Sequence, residues 1–169
     1  MILCLGPSGS GKTVLLKTLQ EDIYSDVEEL PSTIPTVGTN IINVKTNNNN
    51  SVTVHELGGE MAPIWDNHLN SCQHLLYVID ISNLQQVSCA CILLLEILSK
   101  LELENMNVLI VLNKTDAMNT LTMNEMKGLL RLDDISKYAK QRIDVVETSC
   151  VLGEGLEFIR DWLSQVNVS

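Results

Sequence analysis

A mainly parallel α/β sheet covered by helices on both faces is the fold class this 169-residue chain predicts. Three observations predict it. The runs Ile2–Leu5, Leu75–Asp80 and Val108–Leu112 are almost continuously apolar, as strands buried on both faces must be. Segments of helical period separate them. The glycine-rich and polar stretches follow directly after strands, at the sheet edge where such folds gather ligands.

Taken in order, Ile2–Leu5 is the first strand, and the period beginning at Thr13 gives a helix that fades near Asp22. Glu21–Glu29 is acidic. Leu30–Gly38 carries Pro31 and Pro35, which exclude a helix interior or central strand and predict an exposed loop. Asn40–Lys45 and Ser51–Leu57 read as a hairpin turned by Asn47–Asn50, since asparagine tolerates left-handed backbone. Glu56–Glu60 opens a second loop, expected to run through Pro63 to about Asn70. After the Leu75–Asp80 strand, Val87–Leu101 predicts an apolar helix and Val108–Leu112 a further strand. Helices follow over Thr122–Leu130 and Asp133–Gln141, then a strand over Ile143–Val146 and a closing helix over Gly155–Val166. That makes six strands in one domain spanning 1–169.

The balance of 11 basic and 21 acidic residues gives a net charge of −10, which argues against nucleic acid or a polybasic membrane contact. Five cysteines, with no C-x-x-C spacing, read as reduced thiols of a cytoplasmic protein rather than zinc ligands or a disulfide framework. The apolar start is too short for a signal peptide, and no run approaches a membrane span. Ile2 excludes N-myristoylation, so no intrinsic membrane anchor is expected.

Gly6-Pro7-Ser8-Gly9-Ser10-Gly11-Lys12-Thr13 joins the first strand to the first helix, the context in which G-x-x-x-x-G-K-T cradles phosphate. Gly6, Gly9 and Gly11 permit close backbone approach, and successive N–H groups with the helix N-terminus make a concave anion site. Lys12 can reach the terminal phosphates, and the Thr13 hydroxyl can ligate Mg²⁺. Ser8, Ser10 and Val14 belong to the same cradle. Asn113-Lys114-Thr115-Asp116 ends an apolar strand and suits guanine. One carboxylate, Asp116, can accept both N1–H and the exocyclic amine, whereas adenine leaves it unpaired. Asn113 can tie the base side to the phosphate loop, the Lys114 stem can lie along the ring, and N–H groups around Ser149, Cys150 and Val151 can meet the base carbonyl.

The order of cradle, Pro35-Thr36, Glu56-x-x-Gly59, Asn113-x-x-Asp116 and Thr148-Ser149-Cys150 resembles a small GTPase over the whole chain. Ile34–Gly38, Gly58-Gly59, Pro63-Ile64-Trp65 and Gly153–Leu156 resemble a divergent member of the Arf-like branch. The resemblance implies the small-GTPase type of P-loop NTPase fold. It also implies that Thr36 joins Thr13 on Mg²⁺ in the triphosphate state, that Glu56 holds the metal through water, and that Gly59 donates to the γ-phosphate. Lys12, Gly59 and Glu60 become the catalytic candidates, and Pro31–Asn40 and Gly58–Asn70 the two switches. Arf-type proteins usually carry Asp at the position of Glu56 and Gln at that of Glu60. Their effector aromatics correspond to Thr39, His55 and His68, and switch II looks two residues short.

The expected function is therefore a Mg²⁺-dependent GTP/GDP switch with very slow intrinsic hydrolysis. As a monomer it would meet effector, exchange-factor and activating proteins through the switches. Two rivals stand beside it: a P-loop small-molecule kinase, and a module that holds GTP without cycling. His55 and His68 read as surface or packing residues. Trp65 reads equally as a partner contact or a core plug.

Overall fold

The computed structural model describes residues 1–21, 33–48, 50–117 and 121–166. Residues 22–29 of the acidic stretch, Pro31 and Ser32 of the expected switch I, and Asn49 of the hairpin tip lie outside them.

One six-stranded sheet organises the described chain, in the order β2-β3-β1-β4-β5-β6. Strand β1 (Ile2–Leu5) lies between β3 (Ser51–Leu57) and β4 (His74–Asp80), parallel to both. Strands β5 (Asn107–Asn113) and β6 (Arg142–Thr148) extend the sheet in parallel. Only β2 (Thr39–Lys45) is antiparallel, because a short hairpin joins it to β3.

Side chains alternate across β1 and split the core in two. Ile2 and Cys4 face the layer holding α1 (Lys12–Glu21) and α6 (Leu156–Val166), where Leu15, Leu16, Leu19, Ile159 and Leu163 close the packing. Leu3 and Leu5 face the layer of α3 (Leu84–Leu98), α4 (Met123–Leu129) and α5 (Leu132–Tyr138). Because both faces are covered, β4 is buried along its full length.

Three elements differ from expectation. The segment after β3 is not an open loop: Gly59–Ile64 forms a 3₁₀ turn and Asp66–Leu69 a single α-helical turn, α2. Trp65 between them is the core plug, 2% exposed, with its indole N–H on Gly58 O at 3.2 Å and its ring edge-on to Tyr77. Burying that ring gathers the backbone into helical turns despite Pro63. Helix α3 begins earlier than the apolar period suggests, since Asn83 Oδ1 accepts from Gln86 N and caps it. It ends at Leu98, and Leu101 falls in a separate 3₁₀ turn.

Candidate functional site

The carboxyl ends of β1, β3, β4, β5 and β6 lie along one edge of the sheet, and the predicted site residues collect there. A cleft at this edge is lined by Ser8, Gly9, Gly11, Lys12, Thr13 and Val14 of the loop and first turn, by Thr33–Thr36, and by Glu56, Gly59 and Lys114.

Lys12 is almost wholly buried, and its ammonium donates to Gly6 O at 2.8 Å and Pro7 O at 2.9 Å. Burial lowers its pKa. An ammonium carries three donors, so one remains for a phosphate oxygen. The Ser10 hydroxyl is fully buried with no hydrogen-bond partner among the described residues. That hydroxyl lies beside Gly6 and outside the cleft lining, so it faces the interior rather than the site.

Close approach requires several of the glycines, Gly11 and Gly59 among them. Gly11 has φ of 93°, and a Cβ there would strike the Asn113 amide. At Gly59 a Cβ would strike the Ser8 and Pro7 backbone, so the segment that follows β3 rests directly on the Gly6–Thr13 loop. The segment before β2 approaches as well: Thr36 Oγ1 lies 3.0 Å from Thr13 Oγ1. Glu56, fully buried, accepts from Thr13 Oγ1, from Thr36 Oγ1 at 3.4 Å and from Asn40 Nδ2 at 3.0 Å. Two hydroxyls and a carboxylate converging on one point form the oxygen-rich set that Mg²⁺ takes.

The other end of the site is built from β5 and β6. Asn113 Nδ2 donates to Ser10 O at 2.9 Å, and Thr148 Oγ1 donates to Asn113 Oδ1 at 3.1 Å. Lys114 takes the left-handed φ of 67°, uncommon without a glycine. Its ammonium is held there by Gly9 O at 2.9 Å and the Asp80 carboxylate at 2.6 Å. Asp116 Oδ1 accepts from Ser149 Oγ at 2.5 Å. Ser149 differs from expectation, because its own N–H is taken by Glu154 O at 3.1 Å. It therefore bears on the site through Asp116. The Cys150 thiol is pushed up to about 11 by burial and is no nucleophile at neutral pH. Val151 is 60% exposed beside it.

Glu60 stands apart. It is the second residue of the 3₁₀ turn, is exposed, and does not line the cleft. Three residues to which the sequence reading gave no individual role support the site: Asp80 anchors Lys114, Asn40 orients Glu56, and Gln86 Nε2 donates to Ser8 O at 2.6 Å. Asp80 ends a strand at the ligand edge, which was the available signal. Gln86 and Ser8 are 78 residues apart, and no local pattern links them.

The sequence profile of the ADP-ribosylation factor family matches residues 1–167. Over 167 residues the chain is 43% identical to human ADP-ribosylation factor-like protein 16, covering 96% of this chain and 84% of that protein. ADP-ribosylation factor-like protein 1 of Drosophila melanogaster is 33% identical over 165 residues, covering 96% and 86%. Among solved structures, the Arl6 BBS3 small GTPase of Trypanosoma brucei, with bound nucleotide analogue GppNp, superposes with a TM-score of 0.79 at 18% identity, covering 99% of this chain and 96% of that one. The mammalian SRP receptor gives 0.74 at 18% identity, covering 98% of each. These two likenesses bear on the fold alone.

Proposed function

This chain belongs to the ADP-ribosylation factor family of small GTPases, and from that premise we propose a Mg²⁺-dependent guanine-nucleotide switch formed by a single domain over residues 1–169. The observation that carries the reading is the Asn113 bridge. One side chain joins the end of the base-reading strand to the phosphate loop through Ser10 O, so phosphate and base subsites form one nucleotide-length site.

In this reading the loop N–H groups and Lys12 bind the phosphates. Asp116, steadied by Ser149, reads guanine, while Asn113 and Lys114 frame the ring. Thr13, Thr36 and Glu56 hold Mg²⁺, which supplies positive charge beside the phosphoryl oxygens. Gly59, resting on Ser8, has the position from which a backbone N–H can sense a third phosphate. Family members act on effectors and are acted on by regulators. Here the surface for them is Thr33–Asn40 with Gly58–Asn70, where Ile34 is 86%, Val37 92% and nearby Ile41 65% exposed. We place this monomer in the cytoplasm. No described helix is long and apolar enough to cross a membrane.

The exposure of Glu60, away from the cleft, favours one second reading: a module that keeps GTP and seldom hydrolyses it. Two measurements decide. The nucleotide extracted from purified protein should be GDP or GTP, and bound ATP would instead support the kinase rival. Single-turnover hydrolysis then separates a cycling switch from a permanent GTP holder.

A further inference from the structure

We infer that Glu56 binds the divalent cation of the nucleotide site directly, with a carboxylate oxygen in the metal's own coordination sphere rather than behind a water. The inference rests on the switch reading above and deepens it.

Two observations carry it. The first is size. Mg²⁺ holds its oxygens at about 2.0–2.1 Å in a near-ideal octahedron, which sets neighbouring ligands about 3.0 Å apart. The hydroxyl oxygens of Thr13 and Thr36 are already 3.0 Å apart. Glu56 Oε1 completes a triangle with them, within hydrogen-bond reach of Thr13 and 3.4 Å from Thr36. The hydroxyl pair thus has the spacing of one octahedral edge, and the carboxylate oxygen converges on the same point. The glutamate is one methylene longer than an aspartate, and it uses that length to bring its carboxylate into the hydroxyl pair.

The second is charge. Glu56 is fully buried, and its three hydrogen-bond partners among the described residues, Thr13, Thr36 and Asn40, are neutral. Lys12 is near enough to feel its charge but donates to the Gly6 and Pro7 carbonyls instead. A buried carboxylate without an ion-pair partner is costly, and a cation at the shared point offsets that cost. Asn40 fixes Oε2, which leaves Oε1 as the ligating oxygen. The arrangement makes Glu56 part of the metal site and gives the cation one fewer exchangeable water.

Water counting tests this without any turnover. The parent and Glu56→Asp are loaded with Mn²⁺ and a non-hydrolysable GTP analogue, and the broadening of the Mn²⁺ resonance in ¹⁷O-water gives the waters bound. With two hydroxyls, two phosphate oxygens and Glu56 on an octahedral ion, the parent retains at most about one water. Glu56→Asp retains one more than the parent. If that variant does not fold, the parent's absolute count decides alone. Two or more waters on the parent, or equal counts in both proteins, overturn the assignment while the switch reading stands. Analogue bound without Mn²⁺ also overturns it, since Glu56 would then close the site to metal. Failure to bind any guanine nucleotide removes both readings.

Discussion

The hydroxyl of Ser149 donates to Asp116 Oδ1 at 2.5 Å and fixes the carboxylate proposed to read the base. Adenine would leave this oriented charge unpaired, so guanine should be preferred by at least about 10⁴-fold. Competition against labelled GDP measures the ratio, and displacement by ATP at comparable concentration would refute it. Asp116→Asn should move the preference toward xanthine, whose C2 carbonyl accepts from an amide. Ser149→Ala should keep guanine preference and lose about tenfold in GDP affinity, the size of one hydrogen bond to a charged group.

Gly59 should tolerate no side chain in the triphosphate state. A Cβ there meets Ser8 and Pro7 backbone, so Gly59→Ala must push the second switch off the phosphate loop. GDP affinity should hold within a few-fold, while the GTP-to-GDP affinity ratio falls by about tenfold or more, the scale of a lost phosphate contact. An unchanged ratio would show that the contact has no bearing on the third phosphate.

Thr13 offers the hydroxyl nearest both Thr36 and Glu56. Thr13→Ala should therefore weaken Mg²⁺-dependent binding more for GTP than for GDP. Chelating Mg²⁺ should cost the variant less than the parent. If the variant binds GTP with Mg²⁺ as the parent does, the metal site lies elsewhere.

The parts of this site that were legible in the sequence are those whose chemistry is local. The strand, loop and helix around Gly6–Thr13 and the Asn113–Asp116 run each carry their whole signal within a few residues. Asp80, Asn40 and Gln86 were not legible as site residues, because each acts on a partner brought near only by the sheet or by α3. The helical turns over Gly59–Leu69 were hidden for a related reason. Glycines and a proline read as loop, while the burial of Trp65 under β4 reverses that local preference.

Glu60 should make intrinsic hydrolysis very slow. A carboxylate can accept from the attacking water but cannot donate to phosphoryl oxygens, and its charge repels theirs. In this structure it is exposed and outside the cleft. Single-turnover hydrolysis should run at or below roughly 10⁻⁴ s⁻¹, and Glu60→Gln should be faster. Rapid unassisted turnover by the parent would instead make Glu60 a working base.

The α4 cap should be acid-sensitive. Glu125 accepts from the Thr122 N–H at 2.8 Å and the Thr122 hydroxyl at 3.0 Å, and these bonds lower its pKa below the usual 4.5. A depressed carboxylate adds stability above its unfolded value and loses it as pH falls through the folded one. Melting followed from neutral pH down into the acid range should show a steeper fall in Tm for the parent than for Glu125→Gln. Parallel curves would count against the cap.

The Asn113 bridge also makes the nucleotide a two-point tether. Guanosine and pyrophosphate would each grip only half of a splint whose halves are fixed to each other through Ser10 and Thr148. Once one half of GDP is seated, the other meets its subsite at the high local concentration that a short covalent link provides. In the proposed site the joined molecule would therefore hold far more tightly than its free fragments, and would leave slowly until something pries the two halves of the splint apart.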